Sequence, residues 1–456
     1  MTCVYRCNEK KADRLRKWVN SSSQHHLLML EDHPTPKLHP HSRIHYFSIS
    51  SENQDEIFEK IAWKFLFFSL SIEEKKNPIL QRFSQIYSQV HLRAFDFTDQ
   101  GMRLVTNFRA HLSRPTFLAN SAYGKFPGVP AILCGGGRSL DAARKELCSL
   151  QNKALILSCG VGLEKLHQMG IQPHFAIHVD PDSYHRFTPS EVPFFYQLRS
   201  DAQVTAQHQT PFRFLMGSPG NFPLEGFLQS ELGITEPFDG GWNAGTTAIA
   251  LAYLMGCNPI ILTGIDFTIS KKQLKQLPKD EKKIFSPTGK SQFSRIDWIL
   301  SDEWIRLFFS QRSQSSWGTL TPDAVRISSS HPISLKDQQW DPDILNKVEA
   351  FLQRTATTAS STTQVWEEFC QSMKKCTLLC SQLLQEIERL FPTPPIQDGR
   401  YALLEERLSQ EVGYRYFLEP LWRYGYHLLK WSFSAEEVAL HRILFLQSSC
   451  NKFHAL

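Results

Sequence analysis

The sequence predicts an α/β protein: a Rossmann-like parallel-sheet core, with a small mixed domain before it and an α-helical domain after it. Three observations carry this. Between Val129 and Val179, short apolar runs alternate with helical patterns at intervals of roughly 20 to 25 residues, the spacing of parallel strands joined by crossover helices. A further unit, GGWNAGTTAIALAYLMGCNPIILTGIDF, adds a loop, a helix and a strand over residues 240–267. Beyond Val365 the period changes, and Trp366, Phe369, Met373, Cys376, Leu379, Leu383 and Ile387 recur at helical spacing. The division expected is a mixed domain over 1–120, the core over 121–335 and the helical domain over 336–456.

The N-terminal domain offers strands at His26–Glu31 and Ile44–Ile49 and helical patterns within Glu56–Ile72 and His91–Ser113, but no motif. The core begins at VPAILCGGGRSLD, residues 129–141, where an apolar strand meets three glycines and then a helix. Gly135, Gly136 and Gly137 allow backbone N–H groups to approach an anion, and the helix N-terminus adds partial positive charge. Ser139 is placed to cap the helix or to donate to a phosphate. A tight strand-to-helix turn with no ligand explains the same run equally well. If the loop is a cradle, Gly136→Ala should abolish nucleotide binding with only a modest loss of stability.

Strands at Ala154–Cys159 and His174–Val179 follow, the second ending in Asp180-Pro181-Asp182 on the edge where parallel sheets bind ligands. Another strand is expected at Phe212–Met216. In the next unit Asn243, Gly245 and Thr246 open a helix and form a second anion-ready N-terminus, with Trp242 positioned to stack on a ring. Trp242 as core and Thr246 as a plain cap are the alternative. A strand at Pro259–Thr263, a Lys-rich loop over Lys271–Lys283, a helix over Ile296–Phe309 and a last strand at Ala324–Ser328 complete the core. Ser434 and Glu437 form a capping box ahead of the final helix.

Composition sets bounds on function. The chain has 456 residues, 41% hydrophobic and 21% charged, with a formal charge of +5. Its lysines and arginines are not gathered on one element, which argues against a dedicated nucleic-acid binder. The charged N-terminus lacks the apolar centre of a secretory signal, and the run Ile61–Ile72 contains Lys64 and is too short to span a bilayer. A cytoplasmic location without a transmembrane segment is expected. The ten cysteines are scattered, and Cys370, Cys376 and Cys380 read as small core residues of a helix.

Taken together, CGGGRSLD, the DPD after GIQPHFAIHV, and NAGTTAIALAYLMGCNPIILTGIDF resemble the 6-hydroxymethylpterin diphosphokinase MptE-like family. That family includes the Maf motility-associated factors, thought to transfer nonulosonic (sialic-acid-like) sugars to flagellin. The same segments are similar to bacterial sialyltransferases, whose nucleotide loop reads G-x-G-P-S-L and whose late strand ends in G-I-D-F. The resemblance spans about residues 130–334. It implies a nucleotide-dependent transferase. On a Maf-like reading the cofactor is a nucleotide-activated sugar such as a CMP-sugar, the acceptor a protein or sugar, and an aspartate, Asp180 or Asp182, the base. On a diphosphokinase reading ATP is the donor and Asp180 and Asp182 hold Mg²⁺. Two departures stand out: Arg138 replaces the proline of the loop, and no histidine lies between His208 and His331, where the sialyltransferases place their base. His178 and His185 join the two aspartates as candidates. A non-catalytic nucleotide-binding scaffold is the third reading.

Overall fold

The computed structural model describes residues 2–5, 9–23, 25–31, 43–49, 53–65, 70–72, 77–95, 97, 100–182, 189–218, 222–234, 238–268, 282–285, 291–320, 333, 338–355, 363–390, 395, 398–429 and 435–456. The chain divides into two compact units, residues 1–99 with 423–433, and residues 100–422 with 434–456.

In the first unit the elements are β1 (Thr2–Tyr5), α1 (Glu9–Asn20), β2 (Leu27–Glu31), β3 (Ile44–Ser48), α2 (Gln54–Lys64), β4 (Ser71–Ile72) and α3 (Pro78–Phe95). The strands form a parallel sheet of order β3-β2-β1-β4. Leu28 and Leu30 pack on one face with Phe58, Ile61, Leu80 and Phe83, and Leu27 and Met29 on the other with Leu15 and Val19. This alternation is what a sheet covered on both faces requires. The helix expected to run to Ile72 ends at Lys64, because Ser71 and Ile72 instead extend the sheet by pairing with Thr2 and Cys3.

The second unit begins with α4 (Gly101–Leu112), so the pattern His91–Ser113 is two helices. It continues through β5 (Phe117–Leu118), β6 (Ala131–Cys134), α5 (Arg138–Ala142), α6 (Arg144–Leu150), β7 (Leu155–Cys159), α7 (Gly162–Gln168), β8 (Phe175–His178), β9 (Phe194–Tyr196), α8 (Ala202–Ala206) and β10 (Arg213–Leu215). Then come α9 (Pro223–Glu231), α10 (Ala244–Leu254), β11 (Ile260–Thr263), an antiparallel hairpin of β12 (Lys282–Phe285) and β13 (Ser291–Ser294), α11 (Ile296–Ser310) and β14 (Trp317–Thr319). Eight strands form one parallel sheet, β14-β11-β6-β7-β8-β9-β10-β5. The strand expected at Ala324–Ser328 lies outside the described residues, and β14 pairs with β11 on the side away from β6. Strand β9, in VPFFYQL, is an addition to the sequence reading.

Helices α12 (Ile344–Thr355), α13 (Thr363–Leu390), α14 (Gly399–Gln410), α15 (Glu419–Leu429) and α16 (Ala435–His454) follow, and no strand occurs among the described residues after 363. Cys376 and Cys380 are buried on α13, as small core residues. Helix α16 starts at Ala435, and Ser434 of the expected capping box is outside the described residues.

Packing does not follow the expected boundaries at 120 and 335. Phe351 of α12 lies 5.8, 6.0 and 5.4 Å from the rings of Phe126, Phe175 and Phe214, so this helix shares the core of the sheet. Helix α4 also belongs to the sheet unit, tied to it by the hydrogen bonds of Asn107.

Candidate functional site

The parallel register brings the strand ends together. Cys134 of β6 is level with Thr263 of β11 on one side and Ser158 of β7 on the other. The chain leaves β6 for β7 and returns to β11 on the opposite side, so the crevice outside these carboxyl ends is a topological switch point. Gly135 to Gly137, Asp180 and the start of α10 all converge here. A side chain at Gly160 would come within 4.0 Å of the Asp180 carboxylate, and one at Gly245 within 3.3 Å of Ile265.

The glycine loop is not an empty cradle. A Cβ at Gly135 would lie under 3.0 Å from the Gly264 carbonyl, at Gly136 from the Val161 side chain, and at Gly137 from both Gly264 and the Asp266 carboxylate. The glycines therefore let two strand exits touch backbone to backbone, with Gly135 N–H donating to Thr263 O (2.8 Å) and Gly137 N–H to Gly264 O (2.6 Å). This corrects the expectation for Gly136→Ala: a methyl there collides with Val161 before any ligand is involved, so lost binding would not report on a ligand.

The anionic partner of the loop is supplied by the chain itself. Asp266 accepts from Ser139 N–H at 2.9 Å and from the Ser139 hydroxyl, whose oxygen accepts in turn from Gly264 N–H at 2.7 Å. Ser139, expected as cap or phosphate donor, thus serves Asp266, and Gly137 occupies the cap position of α5. Gly264 (φ 66°) and Phe267 (φ 47°) make the turn that carries Asp266 back over the loop. Left-handed backbone at a phenylalanine is uncommon, and such outliers gather at functional sites. The sequence signal for Asp266 was a carboxylate three residues past the strand beside β6.

At α10 the polar groups are engaged in a capping box. Asn243 Oδ1 accepts from Gly245 N–H (2.9 Å) and Thr246 N–H (3.1 Å), while Thr246 Oγ1 accepts from the N–H groups of Asn243 (3.0 Å) and Trp242 (2.9 Å). Asn243 Nδ2 donates to Ser301 at 2.6 Å. Thr246 is fully buried and Trp242 half-buried. Asn243→Ala should cost about 1–2 kcal/mol in chemical denaturation, the worth of a helix cap.

Asp180 is exposed at the edge, and Asp182 is ion-paired with Arg103 of α4. The same helix holds the segment from below: Asn107 Nδ2 donates to Pro181 O (3.0 Å) and Arg199 O (2.9 Å), and its Oδ1 accepts from Ala202 N–H (3.1 Å). These α4 residues carried no recognisable motif. His178 faces inward, buried, with Nε2 at 2.8 Å from His208 Nε2. Burial and then the neighbouring imidazole hold it well below its ordinary pKa, so it is withdrawn as a base for a substrate at the edge. His185 lies outside the described residues. Among those residues no group of three or more His, Cys, Asp or Glu could hold a metal.

Beside the loop, Asp141, Arg144, Lys165, Gln168 and Met169 line an open groove of about 310 Å³. Lys165 Nζ lies 3.4 Å from Gly137 O and 3.3 Å from Asp141. Arg138 is exposed on α5. Cations therefore stand on the outer side of a loop whose inner side is occupied by Asp266.

A parallel sheet covered on both faces, with its crossover at this edge, defines a Rossmann-like fold. Residues 103–272 match the model of the 6-hydroxymethylpterin diphosphokinase MptE-like family. The match opens within α4, the helix that holds the DPD segment. Among solved structures, the Maf glycosyltransferase from Magnetospirillum magneticum AMB-1 is similar over 100% of this chain and 79% of its own, with a TM-score of 0.56 at 12% identity. That likeness is one of fold. A comparison with curated proteins gives no match. No helix of the described residues is long and apolar enough to cross a membrane.

Proposed function

We propose that the protein is a nucleotide-dependent transferase of Maf type, moving a nonulosonic sugar from a nucleotide-activated donor to a protein or sugar acceptor. The observation that carries this reading is the convergence of the glycine loop, Asp180 and the α10 N-terminus on one switch-point edge. The fold likeness to a Maf glycosyltransferase along the whole chain supports it. In the reaction the acceptor oxygen attacks the anomeric carbon, the bond from that carbon to the phosphate oxygen breaks, and the nucleoside monophosphate departs. Asp180, exposed at this edge, takes the acceptor proton. The leaving phosphate is met by Lys165 and Arg144 from the groove side, and by the loop donors once Asp266 yields them.

Diphosphoryl transfer from ATP is the second reading, favoured by the description of the family model. Its Mg²⁺ would draw most ligands from phosphate and water, because Asp182 is engaged with Arg103.

Thermal-shift titration with CMP, CDP, ATP and GTP, with and without Mg²⁺, tests both, since a ligand of the native state raises the melting temperature. Cytidine nucleotides should stabilise the parent protein without metal. Asp266→Ala should lose about 1–2 kcal/mol of stability with its hydrogen bonds to Ser139. It should nevertheless bind the nucleotide about tenfold more tightly, a gain of about 1.4 kcal/mol, because a competing carboxylate has left the loop. A response to ATP only with Mg²⁺ would favour the second reading. If no nucleotide binds parent or variant, the transferase reading fails. Unchanged affinity in Asp266→Ala would place the phosphate outside the loop.

A further inference from the structure

At the amino-terminal ends of β9 and β10, away from the switch-point edge, lies a cation that the proposed reaction does not use. Arg213, the first residue of β10, is 8% exposed. Its guanidinium lies over the rings of Phe194 (5.7 Å) and Tyr196 (5.5 Å). Rings satisfy the face of a guanidinium, whereas its N–H groups point outward in the plane and need acceptors there. Arg213 Nε and Nη2 are buried and find no hydrogen-bond partner among the described residues. No described carboxylate pairs with it either.

A second arginine stands nearby. Thr116 donates from its hydroxyl to Arg213 O at 2.9 Å and accepts from Tyr196 at 3.0 Å, which brings Arg114, two residues earlier, close to the same place. Burial lowers the Arg213 pKa; Tyr196 opposes this in part, and Arg114 adds to it. His208 stacks on Phe194 at 4.3 Å between ring centres, and His111 lies 4.7 Å from Tyr196. Both imidazoles are committed elsewhere, His208 Nδ1 to Val192 O and His111 Nε2 to Ser200 O. A buried cation among neutral rings, with no described acid paired to Arg213, is a binding site for an anion more readily than a structural ion pair.

We propose that Arg213 anchors a second, non-catalytic ligand site, which takes a small oxyanion, a phosphate or carboxylate group, between its guanidinium edge and Arg114. An arginine fork suits either group, since both offer paired oxygens in a plane.

Thermal unfolding of the full chain at constant ionic strength tests this, with sodium chloride replaced stepwise by sodium phosphate or sodium acetate. The parent should gain a saturating rise of about 3 °C or more in one of the two series. Phosphate alone would assign a phosphate site, acetate alone a carboxylate site. Arg213→Met should abolish the rise, and Arg213→Lys, which lacks the fork, should at least halve it. Arg114→Ala, a change on the surface, should weaken it as well and keeps the test open if Arg213→Met does not fold. No rise in either series for the parent would overturn the site, as would a rise that survives in Arg213→Met or is undiminished in Arg114→Ala. Nucleotide titration of Arg213→Lys should match the parent, which separates failure here from failure of the transferase reading.

Discussion

Acidification from pH 7 to pH 5 should destabilise the sheet unit by several kcal/mol. His111, His174, His178 and His208 are all buried. Burial first of all drives His111 down to about 3 and His174 and His208 to about 4, from an ordinary value of 6.5, and His178 moves in the same direction. The hydrogen bonds fit neutral rings. His208 Nδ1–H must donate to the Val192 carbonyl, which leaves its Nε2 to accept from His178 Nε2–H. His174 Nδ1 accepts from Ile156 N–H, so a proton can be added there only by breaking that bond.

The folded pKa values lie below the unfolded one, so the unfolded chain binds more protons between pH 6.5 and about 4. Stability present above pH 6.5 is therefore lost as pH falls through this window. Each isolated histidine contributes about 1.4 kcal/mol per pH unit, and even two or three of them rival the whole stability of a typical domain. Urea midpoints at pH 7.0, 6.0 and 5.0 should fall steadily. In His111→Gln, whose amide can still donate to Ser200 O, the slope should be shallower by about 1.4 kcal/mol per pH unit. A flat profile from pH 7 to pH 5 would show that these rings are charged or exposed in solution.

The same histidines show what could be read from the sequence and what could not. His178 was recognisable as the end of a strand, because HFAIHV is an apolar run followed by an acidic turn. Its partner His208 lies 30 positions on, beyond a strand that the sequence hid. Strand β9 is only three residues long, sits among aromatics in VPFFYQL and follows Pro193, so neither alternation nor length marks it. Strands β6, β7, β8 and β11 were legible because burial on both faces makes each one a continuous apolar run. Helix α10 was legible from its small residues and its Asn243 start.

At the site, residue types and places on the edge were legible, and their partners were not. Three glycines before a helix mean close approach, but the sequence does not say of what. The answer lies at Val161, Gly264 and Asp266, brought in by separate strands. Likewise Arg103 and Asn107 are ordinary residues of an amphipathic helix until folding sets them under the DPD segment. Local pattern fixes where the chain is extended or helical, whereas the filling of a polar slot is decided by long-range contacts.

Gly264→Ala should be among the most damaging single-methyl additions at the candidate site. Gly264 has φ 66°, which costs an L-residue about 1–2 kcal/mol by itself. A Cβ there would lie under 3.0 Å from both the carbonyl carbon and oxygen of Gly135, and 2.9 Å from Leu140 Cβ. Backbone cannot rotate away as a side-chain tip can, so overpacking adds about 1–3 kcal/mol. Two other glycines separate these contributions. Gly170→Ala, at φ 75° with nothing within 4 Å, should lose only the backbone share. Gly226→Ala, in the middle of α9 with open space around it, should gain up to about 1 kcal/mol from helix propensity. Urea unfolding of the three variants should rank them Gly226, Gly170, Gly264, from stabilised to most destabilised. Gly135→Ala should resemble Gly264→Ala, and the double variant should lose less than the sum, because one shift of the two strand exits relieves both contacts. A Gly264→Ala protein no less stable than Gly170→Ala would mean that the exits of β6 and β11 stand apart in solution, leaving the glycine loop open as a cradle.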